Sequence, residues 1–233
     1  MEQGKLIEFR VQGERRLAVA DRPEGKKDWI VIDGGGQSHK VRPQRVDYTV
    51  EGTYESSEIN GFLAEVESYL DPSSLEIAWE MLIEDNETVT PQQMAELLFS
   101  EQSPVACYAA HVLLSQDKVY FKQKSEHYEP RPAAQVEEIK HQLEVQAEKE
   151  QEKKQFIVHL QQALAGEKIQ WSESDRLRLE AIEKLALDSN HTSKLAQEIL
   201  QSAGRHFDAQ GAWQLLVDLG WWSRHENLFL RRS

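Results

Sequence analysis

Between residues 5 and 50 the apolar positions come in short bursts: LIEFRV, RRLAVADR, DWIVID, then pieces around HKVRP and VDYTV. The bursts are rich in β-branched and aromatic residues and are separated by turn chemistry at Gln12-Gly13, Arg22-Pro23-Glu24-Gly25 and Asp33-Gly34-Gly35-Gly36. Five short strands in so little chain predict a small SH3-like or OB-like β-barrel over residues 1–52.

After Gly52 the period changes from two to that of a helix. Ile59, Phe62, Leu63, Val66 and Leu70 make an amphipathic stripe. Asp71-Pro72, Thr90-Pro91 and Ser103-Pro104 each place a capping side chain before a proline at the first helical position, where its missing N–H costs nothing. Gln93, three residues after Thr90, completes a capping box. The predicted order is helix 72–84, helix 91–99, helix 104–114, then a strand–turn–strand over 118–130. That order is a winged helix, occupying residues 53–132.

From Ala133 to about Ala165 one long helix is expected. Val136, Leu143, Ile157 and Leu164 fall on one seven-residue series, and Ile139 and Leu160 on its companion. The wholly polar EKEQEKKQ interrupts both, which predicts a helix packed at its ends and solvated in its middle. SESDRLRLEAIEKLALD, with Ser172 as cap, TSKLAQEILQSAG and DAQGAWQLLVDLG continue a helical region over 133–233. The fold class is α+β, mostly helical.

The net charge of −13 is unevenly spread: residues 51–100 hold no Lys or Arg and twelve Asp or Glu. A phosphate backbone is repelled there, so any nucleic-acid contact belongs to residues 1–50, the hairpin or the C-terminal end. The lone cysteine, Cys107, excludes an internal disulfide framework and suits a reducing compartment. No apolar run approaches the roughly 18 residues of a membrane span, and MEQGKLIEFR lacks a signal peptide's apolar centre. No membrane partner is expected, and the cytoplasm or a plastid stroma is the expected location.

Catalytic motifs are missing. The triple glycine after Asp33 leads into another strand and not a helix, so it reads as a hairpin turn and not a phosphate loop. Eight histidines form no HExxH or Cys/His cluster; His111, on the third helix, and His225, beside Glu226, read as structural or surface groups. The aspartates are scattered, whereas a two-metal nuclease needs carboxylates converging on ions about 4 Å apart.

Binding chemistry is better represented. The third helix, PVACYAAHVLL, offers no Arg, Lys, Asn or Gln to a base edge, which argues against groove readout through it. In the hairpin Lys118, Lys122, Lys124 and Arg131 alternate with Tyr120, Phe121, His127 and Tyr128. Such a pattern can track a single strand by charge and stacking; it can equally be rings sealing a domain beneath ordinary surface lysines. Arg15, Arg16, Arg22, Lys26, Lys27, Lys40, Arg42 and Arg45 are enough for a basic barrel face, moderated by Glu8, Glu14, Glu24 and Asp28. The RNA-binding candidates are therefore Lys118, Tyr120, Lys122, Lys124, Tyr128 and Arg131 on the wing, and Arg22, Lys26, Lys40, Arg42 and Arg45 on the barrel. Near the end, Trp213, Trp221, Trp222 and Phe229 demand burial.

The stretch from LIEFRV to VDYTV, the middle LLFSEQSPVACYAAHVLLSQDKVYFKQKSEHYEPRP and the closing LLVDLGWWSRHENLFLRRS resemble the N-terminal region of ribonuclease II of the cyanobacterial and plastid type, over essentially the whole chain. The resemblance implies a 3′–5′ exoribonuclease whose N-terminal modules guide single-stranded RNA to a catalytic domain, supplied in cis or trans. There an aspartate cluster binds Mg²⁺; none of its residues carries over to this chain, which is expected to end before that domain and to hold no cofactor itself. Two other readings stay open: a structural or protein-interaction module without RNA contact, and a winged-helix DNA-binding regulator.

Overall fold

The computed structural model describes residues 1–191 and 193–223. Two compact units divide the chain, Met1–Lys140 and the stretch from His141 onward. The architecture is α+β and mostly helical, with strands and helices in the expected order.

Strands β1 (Leu6–Val11), β2 (Glu14–Glu24), β3 (Asp28–Asp33) and β4 (Ser38–Val41) form an antiparallel meander. After a 3-10 turn at Pro43–Arg45, β5 (Val46–Thr49) returns to pair with β1, giving the order β4-β3-β2-β1-β5. A meander with a returning last strand is the SH3-like member of the expected pair; an OB-fold is a Greek key. Gln12 and Gly13 both have positive φ, 52° and 88°, as a two-residue type I′ hairpin requires. The second expected turn is displaced. Arg22, Pro23 and Glu24 remain in β2, and the chain reverses at Gly25–Lys27 instead. By Pro23, β2 has run past its pairing with β1 and has a neighbour only in β3, where the ring's missing N–H is tolerated.

Helices α1 (Ile59–Glu67), α2 (Ser74–Leu82), α3 (Pro91–Phe99) and α4 (Pro104–Gln116) precede the wing strands β6 (Phe121–Lys124) and β7 (His127–Pro130). Thr90 and Gln93 close the predicted capping box, and the Ser103 hydroxyl accepts from the Ala106 N–H. Asp71 departs from its expected role. Its carboxylate accepts from both the N–H and the hydroxyl of Ser73 in an Asx turn, and α2 starts only at Ser74. Val89 pairs with Tyr128 through two backbone bonds of 2.9 and 2.8 Å, adding a third short rung to the wing.

Helix α5 (Ala133–Leu164) has Val136 buried in the first unit and Phe156 and Leu160 buried in the second. The polar middle is solvated as expected, but Leu143, on the predicted series, is half exposed. In the second unit α6 (Glu173–Leu187), α7 (Lys194–Ser202) and α8 (Ala209–Asp218) are capped by Ser172, Ser193 and Asp208. They share a core of Phe156, Leu160, Leu179, Ile182, Leu200, Leu215 and Trp222. Gly211 permits α8 to start hard against the preceding loop: a Cβ there would lie 2.2 Å from the His206 carbonyl oxygen. The indole N–H groups of Trp221 and Trp222 both donate to Glu183, at 2.9 and 2.6 Å, so the tryptophan pair is pinned onto α6. His225, Glu226 and Phe229 lie outside the described residues. Among the described residues no helix is long and apolar enough to cross a membrane.

Candidate nucleic-acid interface

Helix α4 occupies the position of a groove-reading helix, yet its residues from Ala106 to Leu114 are all buried. Ala106, Cys107, Ala110, Leu113 and Leu114 pack in the winged-helix core with Leu75, Met94 and Phe121. Its opposite side, Tyr108, Ala109 and Val112, packs against barrel residues Leu6, Leu17 and Val19 and against α1. A polar node fastens this second contact. Fully buried Glu8 of β1 accepts a hydrogen bond from the Tyr108 hydroxyl at 2.6 Å and meets His111 Nε2 at 3.1 Å. Arg15 Nε lies 3.1 Å from the same carboxylate, and Arg15 Nη2 donates to the Ser115 hydroxyl. Burial pushes the Glu8 carboxyl upward, but the hydrogen bonds from His111 and Tyr108 and the charges of His111 and Arg15 outweigh it, leaving its pKa below the ordinary 4.5. Tyr48 of β5 stacks on His111 with ring centroids 4.4 Å apart. To reach a DNA major groove, α4 would have to tear away the barrel, so it is a joint and not a reading head. Arg15, counted toward a basic barrel face from sequence, belongs to this joint.

The wing is built the other way round. Asp117 accepts from the backbone N–H groups of Val119, Tyr120 and Phe121 at 3.0, 2.9 and 2.6 Å, fixing the entry to β6. Phe121 faces Pro130 and Gln123 faces Tyr128 on one side of the hairpin; Lys122 faces Glu129 and Lys124 faces His127 on the other. The rings of Phe121 and Tyr128 therefore turn inward, while His127 stays exposed on the lysine side. Tyr128 is only 3% exposed and cannot stack on a base, which corrects its place among the RNA-binding candidates. Tyr120 is half-buried, its ring 5.8 Å from that of Trp79 and under the Lys140 ammonium. Arg131 is likewise half-buried; its carbonyl accepts from the Trp79 indole at 2.8 Å. Lys118, Lys122 and Lys124 are exposed, and of these Lys124 pairs with Glu129 at 2.7 Å.

On the barrel, Lys40 and Arg42 gather round Asp28 at 3.4 and 3.3 Å, and Lys40 also approaches Glu24. Arg22 pairs with its neighbour Asp21. Lys26 and Arg45 are exposed without an ion pair among the described residues. Arg42 and Lys27 line one groove of about 310 Å³, while Lys40, Arg45, His39 and Arg10 line another of about 470 Å³. Arg10, which the sequence did not single out, is positioned there by Asp47 at 3.0 Å. Exposed pairs of this kind are weak, on the order of 0–1 kcal/mol, so a phosphate can compete for their cations.

The glycine turn after Asp33 has no free anion cradle: the Asp33 carboxylate already accepts from the N–H groups of Gly35 and Gln37, and also meets His39 at 2.7 Å. Among the described residues no group of three His, Cys, Asp or Glu is placed to hold a metal ion.

A barrel, a winged helix with a sequestered helix and an outward cationic wing, and a capped helical unit together define a multidomain architecture. Three family models match in succession: "CSD-like barrel domain" over residues 1–59, "Ribonuclease II, winged helix domain" over 61–135, and "Double HTH domain" of the same family over 136–228. The chain belongs to the ribonuclease II family, as a run of its N-terminal domains. It is 62% identical over 234 residues to an uncharacterised ribonuclease of Synechocystis, covering all of this chain and 35% of the relative. It is 36% identical to the chloroplastic/mitochondrial ribonuclease II of Arabidopsis thaliana, covering 99% of this chain and 31% of that one. The chain thus spans about a third of the length of these relatives. The solved Dss1 exoribonuclease of Candida glabrata aligns over 99% of this chain and 37% of its own, at 12% identity and a TM-score of 0.48.

Proposed function

We propose that this chain engages single-stranded RNA, with little sequence preference, on behalf of a ribonuclease II-type 3′–5′ exoribonuclease. RNA phosphates follow the outward lysines of the wing and the cation-lined grooves of the barrel, and the strand passes to a catalytic domain in cis or trans. Mg²⁺ chemistry belongs to that domain, and the cytoplasm or plastid stroma is its setting. The observation that carries this reading is the opposite orientation of the two parts of the winged helix: α4 is walled in by the barrel while Lys118, Lys122 and Lys124 face solvent.

The competing scaffold reading draws on the net charge of −13 and on the self-pairing of Lys40, Arg42 and Lys124. Fluorescence anisotropy with a labelled single-stranded RNA at low salt separates the two. Binding that weakens steeply as salt rises, with no preferred DNA duplex, supports RNA engagement. No affinity at low salt, with a native circular dichroism spectrum, leaves a scaffold.

A further inference from the structure

Between β5 of the barrel and the wing lies a cleft of about 410 Å³ whose chemistry differs from that of the cationic grooves. Among the described residues its lining includes no lysine or arginine. Its acids are Asp47, already held by Arg10, and Glu126 at the wing tip. A phosphate finds no permanent cation there, only His111, committed to Glu8, and the exposed His127. A flat neutral heterocycle fares better, because the half-buried Tyr48 ring, backed by the His111 ring stacked on it, gives the cleft an aromatic surface.

Hydrogen-bonding capacity is also left over. His111 uses Nε2 on Glu8, and its other ring nitrogen has no protein partner among the described residues. Gln92, at the start of α3, is exposed and unengaged among the described residues. Gln123 gives one N–H to the Ser125 carbonyl at 3.3 Å, which leaves its carbonyl oxygen and second N–H open. The volume sits at the small end of ligand pockets, suited to a nucleoside and not to an oligonucleotide.

We propose that this cleft takes one unpaired nucleobase of a single-stranded RNA, a refinement that rests on the RNA-engagement reading above. Strand β6 makes the two compatible. Gln123 is on the cleft side, whereas Lys122 and Lys124 alternate onto the outer side. A base entering the cleft therefore leaves its own phosphates beside the lysines, outside the acidic lining. The same strand reads base and backbone on its two faces.

The test uses the full 233-residue chain, isotopically labelled, titrated with adenosine, cytidine, guanosine and uridine, with ribose 5-phosphate as the control. At least one nucleoside is expected to shift the side-chain amide signals of Gln92 and Gln123 at millimolar concentration, and ribose 5-phosphate is not. Combining Gln92→Ala with Gln123→Ala, both at exposed positions, is expected to lower nucleoside affinity about tenfold, the loss of two neutral hydrogen bonds. A chain that binds single-stranded RNA yet shows no nucleoside shift overturns the cleft and leaves the RNA reading standing. Nucleoside binding that survives the double variant also overturns it. Nucleoside binding at these amides without affinity for an RNA oligomer removes the RNA reading and with it the assignment of the cleft to a base of RNA.

Discussion

Helix α4 and the wing are neighbours in sequence and in one domain, yet they spend their polar groups in opposite ways. The polar groups of α4, the Tyr108 hydroxyl, His111 Nε2 and the Ser115 hydroxyl, converge on Glu8 and Arg15 of the barrel. The wing sends Phe121 and Tyr128 inward and its lysines outward. A winged helix need not expose its third helix; here that helix is a joint, and the exposed cations of the domain lie on the hairpin.

The most damaging change to this arrangement is at the joint. Glu8→Ala leaves Arg15 and His111 without their buried counter-charge and is expected to cost about 3–5 kcal/mol in urea unfolding, whereas exposed Lys122→Ala is near neutral. A loss under about 1 kcal/mol for Glu8→Ala would mean that packing alone holds the barrel to α4. The joint also has a pH signature. The Glu8 pKa is lowered on folding, so its stabilisation is complete above the ordinary 4.5 and is lost as pH falls through the folded-state value. Unfolding free energy followed from pH 7 to pH 3 should fall less steeply in Glu8→Gln than in the parent chain.

On the binding side, replacing Lys26, Lys27, Arg42 and Arg45 by Ala is expected to weaken single-stranded RNA binding about tenfold at low salt, without lowering the unfolding midpoint. Unchanged affinity would confine the interface to the wing. The smallest expected effect is that of Tyr128→Phe. Its hydroxyl is buried without a partner among the described residues, so removing it should alter stability by no more than about 1 kcal/mol and leave RNA affinity unchanged. A marked loss of RNA affinity in this variant would contradict the inward assignment of the ring.

The sequence made local features readable. Thr90 with Gln93, Ser103 and Ser172 start helices where their chemistry says they should, and Gln12-Gly13 turns the first hairpin. The inward direction of the wing rings was also within reach, because strand period two places Phe121 and Gln123 on one side and Lys122 and Lys124 on the other. Reading that run as interleaved rings and cations ignored the pleat. Pro23 misled because turn composition outweighed the fact that a long strand outruns one of its neighbours. The Glu8 node was beyond local pattern altogether: Glu8 and Tyr108 are separated by 100 residues, and a single glutamate among alternating strand residues carries no mark of its partner. The nucleobase-sized cleft was hidden for the same reason, its walls coming from β5, α3, α4 and the wing.

The salt dependence of single-stranded RNA binding, measured for the parent chain and for the combined variant Lys118→Ala, Lys122→Ala and Lys124→Ala, tests the central claim most directly. Each phosphate contact contributes about 0.7 to the slope of log affinity against log salt for a single strand. The account predicts a slope shallower by about 2 in the variant, together with weaker binding at low salt and an unchanged fold. Identical slopes and affinities would contradict it.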